Sequence, residues 1–240
     1  MSFKTFACSI FMLIMTSCSS QLSSDAQIDR SKVDRPVWLE DGDASYVGRI
    51  SSDNNSRLFD IFEQNIFKTL HISSPGGSVE DGIALGKWVW QNDIEVHIDG
   101  ICASSCANYV LPAAKKVYLS SNSVLLWHGS SYQPDVSKAV INREPFAVRW
   151  RKAENEFFTL TGISPMPTVC GFDDVSIWDK SLNWLGLSEI AGFNYPFEDL
   201  RRFGLNNMVL PTDGWKRKEE YMNKKIIEAH YCSNTSWDFE

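Results

Sequence analysis

Ser104 lies in Ala103-Ser104-Ser105-Cys106-Ala107-Asn108. An apolar run that reads as a buried strand (residues 94–98, then Gly100) precedes it, and an apolar stretch at helical spacing (residues 109–114) follows. A serine at a strand-to-helix junction presents its hydroxyl at a helix N-terminus. The next backbone N–H, here that of Ser105, points toward whatever the hydroxyl attacks. That geometry suits a nucleophile, and it equally suits a serine that merely caps a helix. Three other segments carry compatible chemistry. Ser74-Pro75-Gly76-Gly77 ends a strand, and its two glycines allow positive φ and close approach of backbone to a ligand. Gly77 opens a helix, so its N–H can face an anion or an oxyanion; a plain Pro-Gly turn is the simpler account. His128 closes the apolar run Leu125-Leu126-Trp127, at the strand edge where open α/β sheets place their sites, although structural histidines also occur there. Asp173-Asp174 offers adjacent carboxylates, a pattern shared with solvated loops and helix caps.

The elements that must position these residues read as repeated strand–helix units. Residues 44–50 read as a strand, and 56–65 place Leu58, Phe59, Phe62 and Ile66 on one helical face. Residues 67–72 form the second strand, 79–90 a helix, 94–98 the third strand, 116–119 the fourth and 124–127 the fifth. This alternation predicts an α/β fold with a mostly parallel sheet and right-handed crossovers. Residues 137–160 read as a long helix that Pro145 breaks or starts, and 161–170 as a loop. Residues 175–178 read as a short strand, 182–187 as a helix and 215–230 as a charged helix. Trp88, Trp90, Trp127, Trp150, Trp178 and Trp184 fall in apolar elements and are expected in the core or at subunit contacts. His71 and His97 are expected on a sheet surface or under a helix, and no partner is evident for His230. Asn108 and Asn122 suit caps or substrate contacts alike.

Composition narrows the function classes. With 43% hydrophobic and 22% charged residues, the chain is an ordinary globular protein, long enough for one domain with an appendage. A net charge of -7 and the lack of any Lys/Arg run argue against nucleic acid as a partner.

The N-terminus reads as a targeting segment: Lys4, an apolar run from Phe6 to Met15, then Met15-Thr16-Ser17-Cys18. The run is too short for a comfortable transmembrane helix. The last four residues resemble the lipobox of bacterial lipoprotein signals. That resemblance implies removal of residues 1–17, lipid modification of Cys18, and, with Ser19 following, a place on the periplasmic face of the outer membrane. An ordinary signal peptide cut nearby is the alternative. Residues 18–36 then form a lipidated cysteine and a polar tether spanning roughly 20–25 Å. Cys102, Cys106, Cys170 and Cys232 remain, an even number in an oxidising compartment, with three possible pairings. A Cys102–Cys106 bridge would stiffen the Ser104 turn. The spacing lacks the paired C-x-x-C of zinc sites, so no metal is expected.

From about Tyr46 to Gly192 the chain resembles the Clp protease proteolytic subunit and the wider Clp/crotonase superfamily, and is most similar to periplasmic Clp-like serine proteases. The matching features, in order, are Ser74-Pro75-Gly76-Gly77, the Gly-x-x-x-Ser turn ending at Ser104, His128, and Asp174 ahead of the helix ending in Leu185-Gly186-Leu187. The resemblance implies a Clp/crotonase-like catalytic domain over residues 37–192 and a C-terminal extension over 193–240. It implies Ser104 as nucleophile, His128 as base and Asp174 as acid, with Asp173 as the alternative acid. The Gly77 and Ser105 N–H groups would form the oxyanion hole. No cofactor would be needed. Substrates would be peptides or unfolded proteins, reached without an ATP-driven unfoldase. The family's glycine after the nucleophile turn is replaced here by Cys106-Ala107. Nothing after Gly192 aligns with the regions that build the family's homo-oligomer, which leaves assembly open. Two rivals stand beside this reading. One is a signal-peptide-peptidase-like serine–lysine enzyme using Lys115 or Lys116, against which His128 argues. The other is a binding or scaffold lipoprotein with an inactive triad.

Overall fold

The structure, a computed structural model, describes residues 36–232. The lipobox, Cys18 and the tether up to residue 35 lie outside the described residues.

A two-residue hairpin at Asp41-Gly42, both at positive φ, joins β1 (Val37–Glu40) to β2 (Asp43–Val47). α1 (Ser52–Gln64) follows, with Ser51 accepting from the Asn54 N–H at its N-terminus. β3 (Thr69–Ser74), α2 (Val79–Gln91) and β4 (Glu95–Ala103) form the next unit. In β3 and the first half of β4, Leu70, Ile72, Val96 and Ile98 point into the core. His71 and His97 point to the opposite, half-open face, where their rings stack at 4.7 Å and His71 Nδ1 lies 2.6 Å from Asp99.

β5 (Lys116–Leu119) pairs with the first half of β4, and β6 (Val124–Leu126) pairs with its second half. β4 thus changes partner around Gly100, and only that change brings the end of β6 beside the end of β4. The main sheet runs β1-β2-β3-β4-β5-β8, with β8 at Met208–Val209 and β6 on β4; only β1–β2 is antiparallel. A smaller sheet of β7 (Ile190–Asn194), β10 (Lys224–Glu228) and β9 (Glu220–Tyr221) joins through reciprocal backbone hydrogen bonds between Trp127 and Phe193. The fold is α/β with a mostly parallel central sheet, as the strand–helix alternation predicted.

Three local readings need correction. Residues 137–160 are two helices, α4 (Pro134–Ile141) and α5 (Pro145–Thr161), separated by Arg143 at positive φ, with Pro145 opening the second. Residues 175–178 are not a strand: Ser176 accepts from the Asp179 N–H and starts α6 (Ile177–Trp184). Residues 215–230 are not a helix. Met222-Asn223, both at positive φ, turn β9 into β10, whose Ile226 and Ile227 are buried. Pairing with β7 there overrides the helical pattern of charges. Of the tryptophans expected in the core or at subunit contacts, Trp90, Trp178 and Trp184, 40%, 79% and 84% exposed, lie outside the core of the single chain. The remaining α-helices among the described residues are α3 (Leu111–Ala113) and α7 (Phe197–Arg202).

Candidate active site

Ser104 sits where β4 ends, at φ +55. A β-carbon-bearing residue in left-handed backbone is uncommon and costs energy, so the surroundings must hold it there. Several do. The Ser104 N–H donates to Leu126 O at 3.0 Å, its carbonyl accepts from the Asn108 N–H at 2.8 Å, and the turn continues into a π-helical segment, Cys106–Val110. A disulfide joins Cys102, the penultimate residue of β4, to Cys106 across the turn. Cys170 pairs with Cys232, which settles the pairing that the sequence left open and removes these cysteines as zinc ligands. On the other side, Gly76 presses its backbone on Ser104: a Cβ added there would lie 2.7 Å from Ser104 Cβ and 2.6 Å from Ala103 O. Ser104 is partly exposed, whereas Ser105 is 2% exposed. Of the two serines, only Ser104 is presented outward.

The Gly77 N–H is engaged. It donates to Ser105 Oγ at 2.8 Å, which places a neutral oxygen against the donor that an oxyanion would use. Gly77 also lies one residue before the helix cap: Ser78 accepts from the Asp81 N–H and α2 starts at Val79.

His128 is two residues beyond Leu126, the residue that pairs with Ala103 and accepts from Ser104. Its backbone is fixed on both sides, by Trp127 to Phe193 and by Gly129, whose carbonyl accepts from Asn108 Nδ2 at 2.9 Å. Its imidazole is exposed and makes no hydrogen bond to any described residue.

The acidic pair follows the turn Cys170–Phe172. That turn reaches the His128 segment, since a Cβ added to Gly129 would lie 3.3 Å from Phe172 Cζ. The carboxylates do not. Asp174 Oδ2 accepts from the His230 backbone N–H at 2.9 Å, and Asp174 lines a polar cavity of about 540 Å³ with Asp179, Arg217, Lys225 and Glu228. Asp173 is exposed. Neither carboxylate hydrogen-bonds to His128 among the described residues. Ser104 and the His128 backbone are therefore neighbours, with Asp174 turned aside toward the C-terminal strand.

Lys115 and Lys116 stand at the other end of the sheet. The Lys115 N–H donates to Ile94 O and Lys116 pairs with Glu95, so roughly 30 Å of β4 separates them from Ser104. Asn108 is 4% exposed and engaged with Gly129 O, and Asn122 is exposed at a loop.

Sequence reading missed a buried polar group behind the site. Glu154 on α5 is fully buried and accepts from the Tyr109 hydroxyl at 2.5 Å and from the Ser131 N–H at 2.9 Å. Arg151, one turn earlier, donates to Ser131 Oγ and O and to Ser137 Oγ. A signal for both exists in the sequence. Ala147, Arg151, Glu154, Phe158 and Thr161 form one buried stripe at helical spacing, so two charges occupy apolar-face positions. Burial pushes the Glu154 carboxyl above its ordinary value, against the lowering effect of the Ser131 and Tyr109 hydrogen bonds; burial and the nearby carboxylate push the Tyr109 hydroxyl well up.

No protein-family model matches this chain, and a search of curated proteins finds no match.

Proposed function

We propose that the chain is a serine peptidase of the bacterial cell envelope, built on a Clp/crotonase-like domain and tethered through a lipid on Cys18. The observation that carries this reading is Ser104 itself. It is a partly exposed serine held at φ +55 between a strand and a helical turn, beside the backbone-anchored His128. In this reading His128 takes the Ser104 proton as Oγ attacks a peptide carbonyl. The amine leaves with that proton, and water hydrolyses the acyl-enzyme. The Ser105 and Gly77 N–H groups hold the oxyanion.

The arrangement described above is then a resting one. Substrate binding has to displace Ser105 Oγ from Gly77 N–H, and Asp174 has to exchange the His230 N–H for the imidazole. Catalytic hydrogen bonds commonly tighten only in the substrate complex.

Those same two engagements favour a second reading, a binding lipoprotein whose triad does not assemble. Fluorophosphonate labelling separates the two. The full chain in detergent, with Ser104→Ala, Ser105→Ala and His128→Ala alongside, is expected to label except in the Ser104 and His128 variants. A folded wild-type chain that does not label overturns the peptidase reading.

A further inference from the structure

We infer that Glu154 is a positioning residue that holds the His128 segment against the Ser104 turn. The inference rests on the peptidase reading only for what the two segments do; the link itself is geometric. Tyr109 lies five residues after Ser104, within the helical turn that Ser104 opens, and Ser131 lies three residues after His128. Each gives a donor to a different oxygen of one carboxylate, and that carboxylate is carried on a third element, α5. No solvent competes, because Glu154, Tyr109 and Ser131 are all fully buried.

The clamp is braced on both sides. Arg151 Nη2 donates to Ser131 O and Ser137 Oγ at 2.7 Å each, and its guanidinium lies 4.3 Å over the Tyr132 ring, which fixes the loop after His128 from the same helix. On the other side the Tyr109 ring meets Phe157 edge-on at 5.5 Å, and Gly86 of α2 lets the helix backbone close on Tyr109 O. A buried carboxylate that only filled space would be replaced by leucine without loss. One that satisfies two donors from two segments leaves both unpaired when removed, and the segments then separate or admit water. A misplacement of about 1 Å between nucleophile and base costs on the order of 100-fold in rate.

The discriminating pair is Glu154→Leu and Glu154→Gln. Glutamine keeps both contacts, since its oxygen accepts from the Ser131 N–H while its amide donates to the Tyr109 oxygen, which can accept as well as donate. Leucine keeps the volume and loses both. The readout is the reaction of the full chain with a fluorophosphonate over a range of probe concentrations, which separates the maximal inactivation rate from the probe's half-saturation. The expected result is a fall in maximal rate on the order of 100-fold for Glu154→Leu at unchanged half-saturation, with most of the rate recovered in Glu154→Gln. A folded Glu154→Leu protein reacting at the wild-type rate overturns the inference, because a residue that serves stability alone leaves the folded fraction fully reactive. If Glu154→Leu does not fold, Tyr109→Phe, which deletes only the hydroxyl, decides by the same measure.

If the wild type does not react, the peptidase reading fails and amide hydrogen exchange decides the clamp. Ser131 protected in wild type and Glu154→Gln but fast in Glu154→Leu or Tyr109→Phe upholds it, and equal exchange in all four overturns it.

Discussion

Asn108 Nδ2 donates to the Gly129 carbonyl oxygen at 2.9 Å inside the core, so one side chain ties the turn after Ser104 to the residue after His128. The Asn108 N–H also closes on Ser104 O. The sequence could not tell this asparagine from Asn122. The structure separates them, because one is buried between two site segments and the other sits in a loop beside Lys218.

Asn108→Ala leaves the Gly129 carbonyl without its buried donor, at a cost of about 1–2 kcal/mol. The lower end applies because Asn108 Oδ1, itself without a partner among the described residues, is removed too. Asn122→Ala stays within about 0.5 kcal/mol of wild type. Urea unfolding of the two variants checks the contrast, and equal midpoints would show that the Asn108 link contributes nothing.

Gly76 and Gly48 both sit at positive φ, but only Gly76 is crowded. A Cβ there meets Ala103 O, Ser104 Cβ and Ser105 N at 2.6–2.9 Å, whereas one at Gly48 meets nothing within 4 Å. Gly48→Ala therefore costs only the backbone strain, about 1–3 kcal/mol, and leaves Ser104 reactive. Gly76→Ala adds overpacking of about 1–3 kcal/mol and pushes the Ser104 turn off its position. The check is fluorophosphonate reactivity per folded molecule, expected to fall in Gly76→Ala alone.

The two disulfides should have opposite signatures. Closing 62 residues, Cys170–Cys232 restricts the unfolded chain by about 4 kcal/mol on a chain-entropy basis, against about 2 kcal/mol for the four-residue Cys102–Cys106 bridge. Replacing the 170–232 pair by alanine lowers the melting temperature more. Replacing the 102–106 pair lowers Ser104 reactivity more, because that bridge spans the turn that carries it. Calorimetry and labelling on the same two samples read both effects, and a matching order in the two measurements would contradict the assignment.

Glu154 gives stability a pH dependence of definite sign. Its carboxyl titrates above the ordinary 4.5 in the folded chain because burial disfavours the charge. The folded state thus holds this proton more tightly than the unfolded state does. The resulting stabilisation is complete below 4.5 and is lost as pH rises from there through the folded value. Glu154→Gln cannot titrate, so the unfolding free energy of wild type minus that of the variant falls with rising pH across that window. Urea midpoints taken from pH 4 upward measure it, and a difference that rises with pH would mean the carboxylate is stabilised as an anion instead.

Ser104, His128 and the glycine turn at 76–77 were legible in the chain because each ends a strand, and strand ends follow from apolar periodicity over a few residues. The α/β class followed from the same periodicity, and that Pro145 breaks or starts a helix followed from its fixed φ and missing N–H. Periodicity failed where a distant partner outweighed it. Residues 224–228 look helical by charge spacing, yet they pair with β7, about 34 residues earlier in the chain. Trp178 and Trp184 suit a core or a subunit contact by residue type, and nothing among the described residues covers them.

By itself, then, the sequence determined the strand–helix alternation as far as Leu126 and where a serine stands at a strand end, since these depend on local spacing and backbone preference. Only the tertiary structure decided which cysteines pair, that β4 changes partner near Gly100 to bring His128 beside Ser104, that Asp174 binds the His230 N–H, and that Glu154 is held between two site segments. Apart from the Cys102–Cys106 bridge, which spans four residues, each of these depends on groups roughly 20 to 62 residues apart in the chain, where the topology of the whole chain chooses the partner.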